Sequence, residues 1–195
     1  MAYFVALIFG FAFGAADQYL GSRLVLGAWA PTVSMISAPW LLLSFAAGMT
    51  QERRRRAMVL GLMVVAPALA GYFAMTCSPI ESVALGRFAT CFTTIARVPY
   101  NPLWILGGIV FGPMYALLGQ RWRVDRSRIS ATIVVCTLCF EPLARLLLVP
   151  WMLPPQPIVW WSEVAIGVVL IVPFGLAIAR RRPVQSGVPL RGDEL

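Results

Sequence analysis

The sequence predicts an all-α, polytopic membrane protein of six transmembrane helices with both termini on the cytoplasmic side. Three observations carry that prediction. Of 195 residues, 59% are hydrophobic and only 12% charged, a balance far more apolar than that of a water-soluble domain. The apolar residues gather in six stretches, each long enough to cross a hydrocarbon core of about 30 Å as a helix. Three arginine clusters, Arg53 to Arg56, Arg121 to Arg128 and Arg180 to Arg182, fall between and after those stretches, and basic flanks mark the cytoplasmic face.

Taken in order, the first span covers residues 2–20. It lacks a basic n-region and its apolar run is long for a signal peptide, so it is expected to stay as a helix. The second, 32–50, ends at the first arginine cluster, and the third, 57–76, leaves from it. Residues 77–101 form the longest external segment. There Leu85, Phe88, Phe92 and Ile95 mark one helical stripe, opposite Arg87, Thr90, Thr94 and Arg97. This predicts an amphipathic helix near 83–97, lying on the membrane surface. The fourth and fifth spans, 102–120 and 129–149, enclose the second arginine cluster, and the sixth, 158–179, runs into the third. The reading is one transmembrane domain over 1–182 and a cytoplasmic tail over 183–195.

All 16 basic residues are Arg, against 8 acids, for a formal charge of +8. On a soluble surface that charge would point to nucleic acid. Here 12 of the arginines lie in segments read as cytoplasmic, so the partner they imply is the anionic headgroup layer of a bilayer, with no nucleic acid. Complete avoidance of Lys is associated with GC-rich bacterial genomes, which makes a bacterial cytoplasmic membrane the expected location. With no His in the chain, a His-based metal site or catalytic triad is excluded. No phosphate-binding loop or dinucleotide fingerprint is present either, and neither metal nor cofactor is expected.

Spans one and four share a pattern. Gly10-Phe11-Ala12-Phe13-Gly14 followed by Leu20-Gly21-Ser22-Arg23 aligns with Gly108-Ile109-Val110-Phe111-Gly112 followed by Leu118-Gly119-Gln120-Arg121. Spans three and six correspond through Gly61 with Pro67 and Gly167 with Pro173, and Pro39 and Pro142 are rougher counterparts. Three spans per half would set the halves in opposite orientation, the inverted 3+3 repeat of many transporters. The plainer reading is that small residues at four-residue spacing let helices pack closely.

Four ionisable residues lie inside the spans: Asp17, Glu141, Arg145 and Glu163. At about 1.5 Å per residue, the arginine-defined helix directions put all four in the outer half. Such groups are costly in lipid, so they are expected to face a bundle interior or a wet cavity. Glu141 and Arg145 are one helical turn apart and can pair, while Pro142 frees the carbonyl of Leu138 and favours a kink. The pair serves equally as part of a binding site or as a structural knot. Three acids against one Arg would suit a proton acceptor or donor.

Cys77 and Cys91 fall on the external side, where a disulfide is permitted. Cys136 and Cys139 form a C-x-x-C inside the fifth span, too deep to exchange with them, and read as small packing residues. Trp29, Trp104, Trp151, Trp160 and Trp161 flank the outer surface as an aromatic belt. Trp160 and Trp161 also lie within a turn of Glu163 and could face a cationic group there.

The segment Ser37-Ala38-Pro39-Trp40-Leu41-Leu42-Leu43-Ser44-Phe45-Ala46-Ala47-Gly48, placed between the Gly10/Gly14 span and an Arg run, resembles an uncharacterised family of small actinobacterial membrane proteins. That resemblance implies no activity and no functional residue. Six short helices and Phe111-Gly112-Pro113 are also loosely similar to the substrate-binding subunits of energy-coupling-factor vitamin transporters, an architectural likeness only. The leading expectation is a protein that binds or transports a small solute, in an outward-facing site lined by Asp17, Glu141, Arg145, Glu163, Trp160 and Trp161. The alternative is an intramembrane enzyme on a lipid-like substrate, for example a terpene cyclase with Asp17, Glu141 or Glu163 as its acid. A third is an accessory subunit of a partner membrane protein.

Overall fold

A computed structural model describes residues 1–98, 101–148 and 156–179. Within them the chain is helical, and five helices are long and apolar enough to cross a membrane. These are α1 (Ala2–Ser22), α4 (Arg54–Thr76), α6 (Asn101–Asp125), α7 (Arg128–Leu148) and α8 (Pro157–Ala179). Each coincides with one of the six spans read from the sequence. The second span does not form one helix. It divides into α2 (Trp29–Ser34) and α3 (Ala38–Met49), and the 12 residues of α3 reach only about 18 Å at 1.5 Å each.

Pro39 accounts for the division. Pro39 has no N–H to donate, and its ring crowds the carbonyl four residues back, at Met35. Met35 and Ile36 close off α2 with short-range bonds to the carbonyls of Pro31, Thr32 and Val33. The chain then re-enters a helix at Ala38 with its first N–H groups unmatched by any carbonyl of α2.

The external helix is shorter than its apolar stripe predicts. It runs from Phe88 to Ala96 as α5, because Leu85–Arg87 winds into a 3-10 turn ahead of it. Asn101 starts α6 with its side-chain amide donating to the Ile95 carbonyl at 2.7 Å. Arg180 to Arg182, the 183–195 tail and Trp151 lie outside the described residues.

Helix directions follow from which positions touch. Gly10 and Gly14 of α1 meet Val64 and Ala68 of α4, so these two helices run in parallel. Gly112 and Gly108 of α6 meet Val65 of α4, and Gly108 also meets Leu69, in antiparallel register. Gly48 and Gly119 bring α3 and α6 together, and Gln120 and Arg123 of α6 donate to the carbonyls of Glu52 and Met49, so the two helices end side by side. The turn after α3, with Arg53, therefore shares one end of the bundle with the α6–α7 turn, and this is the arginine end. The opposite, loop end holds α5 and the residues that follow α4.

At most of these glycines a Cβ would strike backbone of the neighbouring helix, at Val64, Ala68 and Ala116 among others. Close approach of this kind is how helices associate in lipid. Both Gly-rich motifs behind the repeat thus lean on α4. On the other flank, Phe45, Trp122, Val134 and Leu138 form a buried core, and Phe174 of α8 edges onto the Trp122 ring at 4.5 Å. The outward faces of α1, α6 and α8 carry exposed aliphatic and aromatic side chains, the surface a bilayer would cover.

Candidate functional site

The break between α2 and α3 is the centre of the site. In hydrocarbon no water is available for the unmatched N–H groups of a helix start. Glu141 of α7 takes that role. Its Oε1 accepts the Ser37 N–H at 2.5 Å and its Oε2 the Ala38 N–H at 2.8 Å. A carboxylate placed here also meets the positive end of the α3 dipole.

Arg145, one turn further along α7, donates to the same Glu141 Oε1 from Nε at 2.9 Å and from Nη2 at 2.8 Å. Its Nη2 reaches the Ser37 hydroxyl as well, at 3.0 Å. Glu141, Arg145 and Ser37 therefore form a closed knot that fixes α7 to the broken segment. α7 stays helical through Pro142 while making it.

Glu163 of α8 is the one member left open. It is only 5% exposed, interacts with the Glu141 carboxyl and with Arg145, and has no hydrogen-bond partner at Oε1. Two carboxyls thus share one guanidinium in a low-dielectric setting. With both carboxyls ionised the cluster would carry one negative charge more than Arg145 neutralises, and a single proton held between them removes it.

Asp17 of α1 lies at the same end of the bundle, on the other flank of α3. The Trp40 indole N–H and the Tyr72 phenol are close enough to interact with its carboxyl, and its Oδ2 is buried without a partner. The rings of Phe13 and Trp40 meet edge to face at 5.4 Å, and Trp40 meets Tyr72 at 6.3 Å. Trp40 stands three residues beyond Ser37, so α3 joins the two clusters through its first turn.

Residues 1–190 match a family of unknown function, DUF6518. The chain belongs to that family. No curated protein and no solved structure matches it. Membership agrees with the resemblance to an uncharacterised family, and the likeness to vitamin-transporter subunits rests on sequence pattern alone.

Of the six lining residues expected from sequence, the structure brings Glu141, Arg145 and Glu163 together and sets Asp17 apart with Trp40. Trp160 packs against the buried core around Ile36 and Val159. Trp161 is 70% exposed and turns away from Glu163, because two residues along a helix rotate a side chain by about 200°. Ser37, Trp40 and Tyr72 were not expected. The signal for Ser37 was the Ser-Ala-Pro run, which pairs a hydroxyl with a proline that starts a helix.

Over the loop end, Cys77 and Cys91 are joined by a disulfide that ties α5 to the end of α4. Phe92 of α5 edges onto Phe73 at 6.2 Å. Glu81 accepts the Ser22 hydroxyl at 2.6 Å and faces Arg23 at 3.8 Å, linking this loop to the end of α1. Cys136 and Cys139 are free thiols within α7.

Proposed function

We propose that this integral membrane protein binds a small solute at the loop end of its bundle and carries it across a bacterial cytoplasmic membrane. In this reading the arginine end faces the cytoplasm and anionic headgroups, the loop end opens outward, and Glu163 exchanges the proton that balances the excess charge. The observation that carries it is the Glu163 carboxyl, buried with a free Oε1 beside the Glu141–Arg145 pair. Buried ionisable groups of this kind in membrane proteins mark proton relays and substrate paths. The knot also joins the first three predicted spans to the last three, at a broken helix, where a carrier built as an inverted repeat would hold its site.

The test is flux in liposomes containing the purified protein and an entrapped pH-sensitive dye, challenged with a panel of small amines, amino acids and vitamins. At least one solute should drive a proton movement that Glu163→Gln reduces tenfold or more while the protein stays folded. Undiminished, equally proton-dependent flux in that variant would remove Glu163 from the mechanism.

A second reading is favoured by the rings around Asp17. An acid beside Phe13, Trp40 and Tyr72 has the parts of a cyclase, in which a carboxyl protonates an alkene and ring faces stabilise the carbocation. That activity would run in detergent with no gradient, and a lack of any turnover on polyprenyl substrates would count against it.

A further inference from the structure

The Asp17 cluster offers a chemistry that the Glu141 knot does not. Among the described residues no guanidinium pairs with Asp17. Arg23, six residues along the chain, is taken up by Glu81 at 3.8 Å and lies over the Tyr19 ring at 4.3 Å. Arg145 is held by Glu141. The Trp40 N–H stands close to the carboxylate, and Oδ2 is left buried and open. What stands around it is aromatic: Trp40 from the first turn of α3, Phe13 one turn back on α1, and Tyr72 near the end of α4.

A carboxylate set among aromatic rings selects among cations. The charge attracts any of them, but a sodium ion must shed a tightly held hydration shell to enter. An ammonium carrying alkyl groups sheds much less and gains from the ring quadrupoles. We infer that Asp17, Trp40 and Tyr72 form a binding site for the alkylated ammonium group of a small organic cation. This identifies the solute class of the carrier described above, and it rests on that reading for transport though not for binding. Trp40 lies on the helical turn whose first N–H groups Glu141 holds, so a cation seated at Asp17 bears directly on the α3 start.

The experiment titrates the purified full-length protein in detergent with tetramethylammonium chloride, against sodium chloride at matched ionic strength, reading tryptophan fluorescence and thermal midpoint. The expected result is saturable binding of tetramethylammonium that sodium does not reproduce, weakened at least tenfold by Asp17→Asn. Tyr72→Leu, which removes a ring and leaves the carboxyl, should weaken it at least threefold, and supplies the answer where the Asp17 variant fails to fold. Equal responses to the two salts, or unchanged binding in a folded Asp17→Asn or Tyr72→Leu protein, overturn the site. Asp17-dependent binding alongside flux indifferent to Glu163→Gln would keep the site and remove the carrier reading. Glu163-dependent flux without tetramethylammonium binding would do the reverse.

Discussion

Glu141 accepts two backbone and two guanidinium hydrogen bonds with a side chain only 10% exposed. Breaking such a buried pair by removing one partner costs about 3–5 kcal/mol, since it strands the other charge. Arg145→Met is therefore expected to lower the unfolding midpoint in mild detergent sharply. The double variant Glu141→Leu with Arg145→Met should recover part of the loss, because no lone charge remains, though the α3 N–H groups stay unmatched. Additive losses in that cycle would show that the two side chains act separately. The pairing itself was legible in the sequence, as four-residue spacing puts both groups on one face. Its purpose was not, because the N–H groups it serves belong to residues 104 and 103 positions away. Nothing in the local pattern around Glu141 announces a helix start on another element.

Helices show the same division. Five of the six spans were readable from apolar length, since a helix is the form that satisfies its own backbone in lipid. The second was not, because hydropathy is blind to a hydrogen-bond gap: residues 32–50 carry no charge, while Pro39 ends the ladder inside them. The glycines divide by environment as well. At Gly48 an added Cβ would run into the Ala116 backbone of α6, whereas at Gly86 it would meet nothing within 4 Å. Overpacking a tight contact costs about 1–3 kcal/mol or more, and backbone cannot yield as a side chain can. Gly48→Leu should shift the protein toward aggregated species in size-exclusion chromatography, and Gly86→Ala should leave its profile and midpoint unchanged. A normal Gly48→Leu profile would mean that α3 and α6 are not packed this closely.

For the whole molecule, contact registers fix how α1, α4 and α6 run relative to one another. Which end faces the cytoplasm is a property of the membrane, and the positive-inside rule supplies the expectation. In a background lacking only Cys136 and Cys139, Gly86→Cys should react with an impermeant maleimide on intact cells, while Thr50→Cys should react only after lysis. The opposite pattern would invert the orientation and move the open carboxyls to the cytoplasmic side. The outward faces of α1, α6 and α8 are apolar, as a bilayer-covered surface requires. The separation of Asp17 from Glu163 by α3 was not legible in the sequence, since depth along a helix says nothing of azimuth around the bundle.

The bond between Ser37 and Glu141 has a consequence for how the chain is made. Synthesis runs from the N-terminus, so α3 is produced roughly a hundred residues before the carboxylate that completes its first turn. Until α7 arrives, two bare amide groups and a helix too short to span must wait in the translocon, at the lipid boundary or against α4 and α6. Docking of α3 is thus provisional, and α7 commits it. A chain stopped after α6 would keep its glycine-packed helices and lack the residue that locks the broken one in place.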